Sequence, residues 1–209
     1  MPITQILMTS ATTDPDPIAS TLPSTYNFNG SDNAWQTITG AYPFAGSSSV
    51  LTQNLGAIDR VSINLWFKPK QTSVAMLAEL GQAQENYGYH YTMLEINSGG
   101  ALTGRIWEGF GYTRVTTFTS VNLNAWNHVY LSFSGGTNGT ISISLNGDTL
   151  SSTTLTRDPP TNTYIGLGSY DSTYITTTSQ YRGRFNDLSI STSAGATSNF
   201  SSTRATYGV

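Results

Sequence analysis

The chain has 209 residues, with 12 acidic and 9 basic side chains and a formal charge of -3. Charged residues make up only 10% of it and form no basic stripe, so it lacks the electrostatic footprint of a DNA- or RNA-binding protein. It has no cysteine, which excludes a disulfide framework, a thiolate metal site and a cysteine nucleophile.

No apolar run approaches the roughly 20 residues that cross a bilayer as a helix, and no membrane insertion is expected. The opening residues carry neither a basic region nor a sustained apolar one, so no cleavable signal peptide is expected. Export would then need another route, such as assembly into a particle. Residues 1–25 read as an arm. Within it, Asp14-Pro15-Asp16-Pro17 blocks both helix and central strand. Ahead of that block, Ile3, Ile6, Leu7 and Met8 are too few for a core of their own. They are either the contacts of the arm on a partner or a short strand folded back on the same domain.

From Tyr26 onward the chain reads as strands. In VSINLWF, Val61, Ile63, Leu65 and Phe67 fall on one face and Ser62, Asn64 and Trp66 on the other, which predicts a sheet with one buried side. Lys68-Pro69-Lys70 ends that run. Further strands follow around Met76 to Leu80, in YTMLEI, and in LTGRIWEG after a turn at Gly99-Gly100. In HVYLSF, Val129, Leu131 and Phe133 oppose His128, Tyr130 and Ser132. The next run puts Ile141, Ile143 and Leu145 inward and Ser142 and Ser144 on a wetter face. Asn146-Gly147 then predicts a type I′ turn, whose two central positions need positive φ. Two more short strands span Tyr164 to Leu167 and Arg184 to Ile190. No helix is expected, and the Ser/Thr-rich tail of residues 193–209 reads as irregular apart from Tyr207. The fold class is all-β, a two-sheet sandwich or jelly roll.

Several phrases carry a resemblance: YNFNGSDNAW from Tyr26, VSINLWFKP from Val61, WNHVYLSF from Trp126, ISISLNGDTL from Ile141, then YIGLGSY and YRGRFNDLSI. Trp126, His128 and Val129 stand as W-x-H-V before a strand, Asn146-Gly147 forms the following turn, and Gly183, Phe185, Asp187, Leu188 and Ile190 form the closing phrase. Residues 26–192 thereby resemble the concanavalin A-like jelly roll in its laminin G-like form. The resemblance implies a sandwich of two antiparallel sheets. It leaves function open, because the family includes glycan binders, adhesion modules, glycanases and structural domains.

Glycoside hydrolysis needs two carboxylates about 5 to 9.5 Å apart. Glycanases of similar fold carry an E-x-D-x-x-E triplet on one strand, and none occurs here; Glu79, Glu85, Glu95 and Glu108 each stand alone. Glu95 and Glu108 converge only if the hairpin through Gly99-Gly100 brings them together, and otherwise occupy exposed cross-strand positions. His128 stands at the W-x-H-V position, where the resemblance implies a half-buried imidazole bonded to a neighbouring strand. His90 lies among Tyr87, Tyr89 and Tyr91, without a second histidine nearby for a metal. No G-x-S-x-G phrase is present. No enzyme activity and no cofactor are expected. Calcium is the open alternative, through Asp32, Asp148, Asp158 and Asp171 at turns.

Glycan binding would use aromatic faces. The candidates are Trp107 and Tyr112 around a Gly-rich turn, with Tyr170, Asp171 and Tyr174 in a later loop; the same residues equally suit a protein interface. Trp66 either covers the outer sheet or packs under a loop. The function expected first is a non-enzymatic virion component, a capsid decoration, head fibre or tail appendage of a bacteriophage. It would be anchored by the arm to other virion proteins or to copies of itself, with a trimer plausible on symmetry. The alternative is a lectin-like adhesion module for a cell-surface glycan. If the arm is an assembly device, light scattering will show the full chain as an oligomer and a chain lacking residues 1–25 as a monomer; equal masses would refute self-assembly through the arm.

Overall fold

A computed structural model describes residues 36–38, 42–45, 52–58, 60–70, 75–81, 92–107, 112–135, 138–155, 162–167, 181–191 and 195–209. The described strands are β1 (Gln36–Ile38), β2 (Tyr42–Ala45), β3 (Thr52–Ile58), β4 (Arg60–Pro69), β5 (Ala75–Gly81), β6 (Thr92–Ile96) and β7 (Ala101–Trp107). After them come β8 (Tyr112–Ser120), β9 (Asn127–Ser134), β10 (Thr140–Leu145), β11 (Ser151–Thr154), β12 (Asn162–Leu167) and β13 (Arg182–Ser191). They form two antiparallel sheets, as expected. The seven-stranded sheet runs β1-β13-β4-β9-β10-β11 with β2 also on β13, and the six-stranded sheet runs β3-β12-β5-β6-β7-β8. No helix among the described residues is long and apolar enough to cross a membrane.

The inner faces follow the period-2 pattern. Val61, Ile63, Leu65 and Phe67 of β4 join Val129, Leu131 and Phe133 of β9 and Ile141, Ile143 and Leu145 of β10 in one buried cluster. Leu77, Leu94, Ile96, Leu102, Ile106 and Val115 complete it from the other sheet. Burial of each such side chain contributes about 1.5–3 kcal/mol relative to exposure. Gly104 of β7 fits a close approach between the sheets, for a Cβ there would lie 2.7 Å from Leu131 Cδ1. The turns follow their sequence as well. Asn97 Oδ1 accepts from the N–H groups of Gly99 and Ala101, and Gly100 takes φ 80°. Asn146 and Gly147 have φ 51° and 77°, and the Asp148 N–H donates to the Leu145 carbonyl at 2.9 Å. Pairing resumes only at Ser151, opposite Ile143, so this turn sits in a longer connection.

The outer face of the seven-stranded sheet departs from expectation. Alternation predicted one buried side, yet Ser62, Asn64 and Trp66 are buried along with their inward neighbours, as are His128, Tyr130, Ser142 and Ser144. Asn64, Trp66, His128 and Tyr130 are covered by the tail. Residues 195–209 are a strap across that face, and its second half is coiled: α1 (Phe200–Thr203) passes directly into a 3-10 turn (Arg204–Tyr207). The expectation of no helix and an irregular tail is thereby corrected. Trp66 is the anchor, fully buried, with Tyr207 stacked on its ring at 4.0 Å and 13° and Phe200 at 5.8 Å and 27°.

Polar contacts fix the strap along its length. Trp66 Nε1–H donates to Thr203 Oγ1 at 2.9 Å, Tyr130 OH to the Ala196 carbonyl at 2.7 Å, and Asn64 Nδ2 to the Thr197 carbonyl. The Asn199 N–H donates to Asn64 Oδ1, and Tyr207 OH to Asp187 Oδ2. Asp187 sits at a register shift in β13 with φ 44°, a left-handed conformation that Asp tolerates better than most residues. Tyr207→Ala removes the stack over Trp66 and should lower the unfolding free energy by ~3 kcal/mol. Urea titration will measure that loss, accompanied by a red shift of tryptophan emission as water reaches Trp66.

Candidate functional site

The β7–β8 hairpin sets Trp107 directly opposite Tyr112. These strand-end positions lie one residue beyond Ile106, which is level with Thr92, where β6 begins, and through it with Leu80, near the end of β5. Aromatic residues from two strands are therefore paired at one end of the six-stranded sheet. Tyr170, Asp171 and Tyr174 lie outside the described residues, but the strands flanking them do not. β12 runs antiparallel to β5, with Tyr164 level with Gly81 and Leu167 level with Ala78. β12 thus leaves at the end away from Trp107. β13 enters there too, with Gly183 level with Pro69 at the far end of β4. Ile3, Ile6, Leu7 and Met8 lie outside the described residues.

The Trp126-Asn127-His128 phrase has a structural role. Asn127 Oδ1 accepts from the Asn122 N–H and from Asn146 Nδ2, and its Nδ2 donates to the Asn122 and Ala125 carbonyls. One amide side chain thereby ties the β8–β9 connection to the Asn146 turn. Trp126 meets Tyr207 edge-on at 5.1 Å. His128 was expected to be half-buried and bonded to a neighbouring strand. Instead it is fully buried, and its Nε2 lies 2.8 Å from Asn199 Oδ1 on the strap. In the neutral ring Nε2–H donates to Asn199, while the buried Nδ1 has no partner among the described residues. Burial pushes the His128 pKa down to about 4, against a smaller upward pull from the Asn199 hydrogen bond.

Among the described residues no three His, Cys, Asp or Glu side chains group together. Glu95 forms an ion pair with Arg105 at 3.4 Å, diagonally across β6–β7, where Thr103 is its direct partner. Glu85, Glu108 and His90 lie outside the described residues, as do Asp32, Asp158 and Asp171 of the calcium set. Asp148 is exposed and accepts from Thr119 Oγ1. On the outer face of the six-stranded sheet, Phe118 of β8 alternates with buried Val115 and Thr117 and is 75% exposed. Sequence reading passed it over, although alternation alone would have placed it outward.

The strap and the β10–β11 connection enclose a cleft of about 380 Å³. Tyr130 and Ser144 form its floor, while Phe200, Leu150, Asp148 and Ser198 stand around it. Sequence reading weighed Asp148 only as a calcium ligand and placed Tyr130 and Ser144 on strands, but passed over Leu150, Ser198 and Phe200. The signal for the strap lay in the spacing of Phe200, Thr203 and Tyr207, which puts three contact residues on one side of a helical turn.

The laminin G family model of the "Concanavalin A-like lectin/glucanases superfamily" matches residues 44–197. No match was found among curated proteins. Among solved structures, the chain is similar to a native heptameric SAP-like pentraxin from Limulus polyphemus, with a TM-score of 0.55, 15% identity and 72% of each chain covered. It is also similar to the Ruminococcus gnavus IT-sialidase CBM40 bound to α2,3-sialyllactose, with a TM-score of 0.55, 13% identity, and coverage of 73% of this chain and 84% of that one. At these identities the likeness is one of fold.

A buried neutral His128 makes stability depend on pH. The unfolded chain takes up a proton near pH 6.5 that the folded chain refuses until about pH 4. Stability is therefore unaffected by this group above about pH 7 and falls as the pH drops through that window, by ~3 kcal/mol at its foot. His128→Gln should flatten this part of the profile. The check is the urea midpoint of both proteins from pH 7.5 to 4, since other titrating groups cancel in the difference.

Proposed function

Because the chain belongs to the concanavalin A-like lectin/glucanases superfamily, we propose that it is a non-catalytic glycan-binding module whose site lies where β7 passes into β8. The observation that carries this reading is the register that pairs Trp107 with Tyr112. Paired aromatics at a strand end offer flat apolar area for the C–H face of a sugar ring, at little cost in side-chain entropy. The strap covers the outer face of the seven-stranded sheet around Trp66, whereas this pair belongs to the six-stranded sheet. Phe118, also exposed on β8, lies near the other end of that strand and is not part of this site.

A binding role is favoured over hydrolysis because the described acidic side chain on this sheet, Glu95, is held by Arg105. Cleavage would need a second carboxylate at hydrolase spacing. The similar CBM40 was solved with sialyllactose bound, which supports a glycan as the ligand class on this fold. Anchoring to a particle through residues 1–25 is compatible with this reading and is tested separately by the truncation described above.

A glycan array should retain the full chain on at least one glycan, and Trp107→Ala or Tyr112→Ala should weaken that binding about tenfold or more, as expected for loss of an aromatic anchor. Their unfolding midpoints should stay close to that of the parent chain. An array without hits, or variants that bind unchanged, would sink the proposal.

A further inference from the structure

We propose that the cleft between the strap and the β10–β11 connection is a second ligand site, built for a single neutral sugar residue. The proposal takes only its ligand class from the glycan-binding reading and involves none of the residues at the β7–β8 end. The cleft has a size suited to a small ligand, and its lining is amphipathic. Phe200 and the half-exposed Leu150 supply apolar surface. Ser144, Ser198 and the Asp148 carboxylate supply polar groups. A pyranose has the same division, with C–H groups on its faces and hydroxyls around its edge.

Charge narrows the class. Asp148 is the one ionisable carboxylate on the lining, and no Lys, Arg or His is part of it. An acidic sugar would meet repulsion without a compensating cation, whereas a hydroxyl can donate to Asp148. One oxygen of that carboxylate is held by Thr119 Oγ1, which fixes its direction, and Oδ1 has no partner among the described residues.

The walls are built with little slack. Gly147 has φ 77°, and a Cβ on it would lie 2.4 Å from Phe200 Cδ1; the ring stands where any larger residue would be. Phe200 is in turn stacked on Trp66. The floor is pinned by the hydrogen bond from Tyr130 OH to the Ala196 carbonyl. Since one side of the cleft is the strap itself, ligand binding and strap docking are linked, and a bound sugar stabilises the docked strap.

The test is an amide chemical-shift titration of the full chain with methyl α-glucopyranoside, methyl β-galactopyranoside and N-acetylglucosamine, with N-acetylneuraminic acid as the acidic probe. At least one neutral probe should move the amides of Gly147, Asp148 and Ser198, and the acidic probe should not. Asp148→Ala and Leu150→Ala, both at exposed positions, should weaken that response about tenfold, while Trp107→Ala leaves it unchanged. Still amides at the cleft with every neutral probe, or cleft variants that respond like the parent, would overturn the site. If the array binding sensitive to Trp107 survives in that case, only the cleft falls; if the array is also empty, both proposals fall.

Discussion

A tryptophan at the centre of a sheet's outer face poses two demands at once: its large apolar area must be covered, and its indole N–H must find an acceptor. Trp66 of β4 meets both through the strap, with Tyr207 and Phe200 against its ring and Thr203 Oγ1 accepting its proton. Much of the rest of that face follows. Asn64, His128 and Tyr130 lie beside Trp66 on neighbouring positions of β4 and β9, and once the strap covers the tryptophan they are buried with it. Each must then trade its water for a strap partner, because an unpaired buried polar group costs about 1–3 kcal/mol. The partners are Thr197, Asn199 and Ala196. The strap is therefore held by an apolar anchor and positioned by hydrogen bonds that would have no purpose on an open face.

The inner half of the sandwich was legible because alternation reports chemistry directly. Ile63, Leu131 and Ile143 are apolar at every second position and face the core. The outer half was not legible for the complementary reason. Asn64, His128, Ser142 and Ser144 are polar, and polarity in a strand cannot distinguish a residue facing water from one facing a hydrogen-bonded cover. The cover was itself disguised. Phe200, Thr203 and Tyr207 have helical spacing, but they are embedded in a Ser/Thr-rich segment of low helix propensity. That coil is short, and its stability comes from docking against Trp66 rather than from its own sequence.

The candidate site divides along similar lines. Trp107 and Tyr112 end β7 and begin β8, close together in sequence, so local sequence suffices to predict that their positions pair. Tyr170, Asp171 and Tyr174 are remote in sequence, and whether they join the pair depends on the course of a long connection. β12, which precedes them, lies antiparallel to β5, a pairing that local sequence does not report. Composition draws attention to aromatic residues but contains no information on which end of a sheet a loop leaves from.

The two outer faces are thus committed differently. On the seven-stranded sheet the strap fills the surface with the chain's own aromatic and amide groups, the residue types that would otherwise receive a sugar. That occupation removes the face from competition and leaves an exposed aromatic, Phe118, on the other sheet. It also creates new concavity at its own margin, because a strap laid over a twisted sheet cannot fill the step at the β10–β11 connection. Gly147 lets Phe200 close one side of that step, and Leu150 and Asp148 remain on the other. The same ring that completes the cover of Trp66 therefore forms a wall of the cleft, and whatever loosens the strap, including a proton on His128, dismantles both.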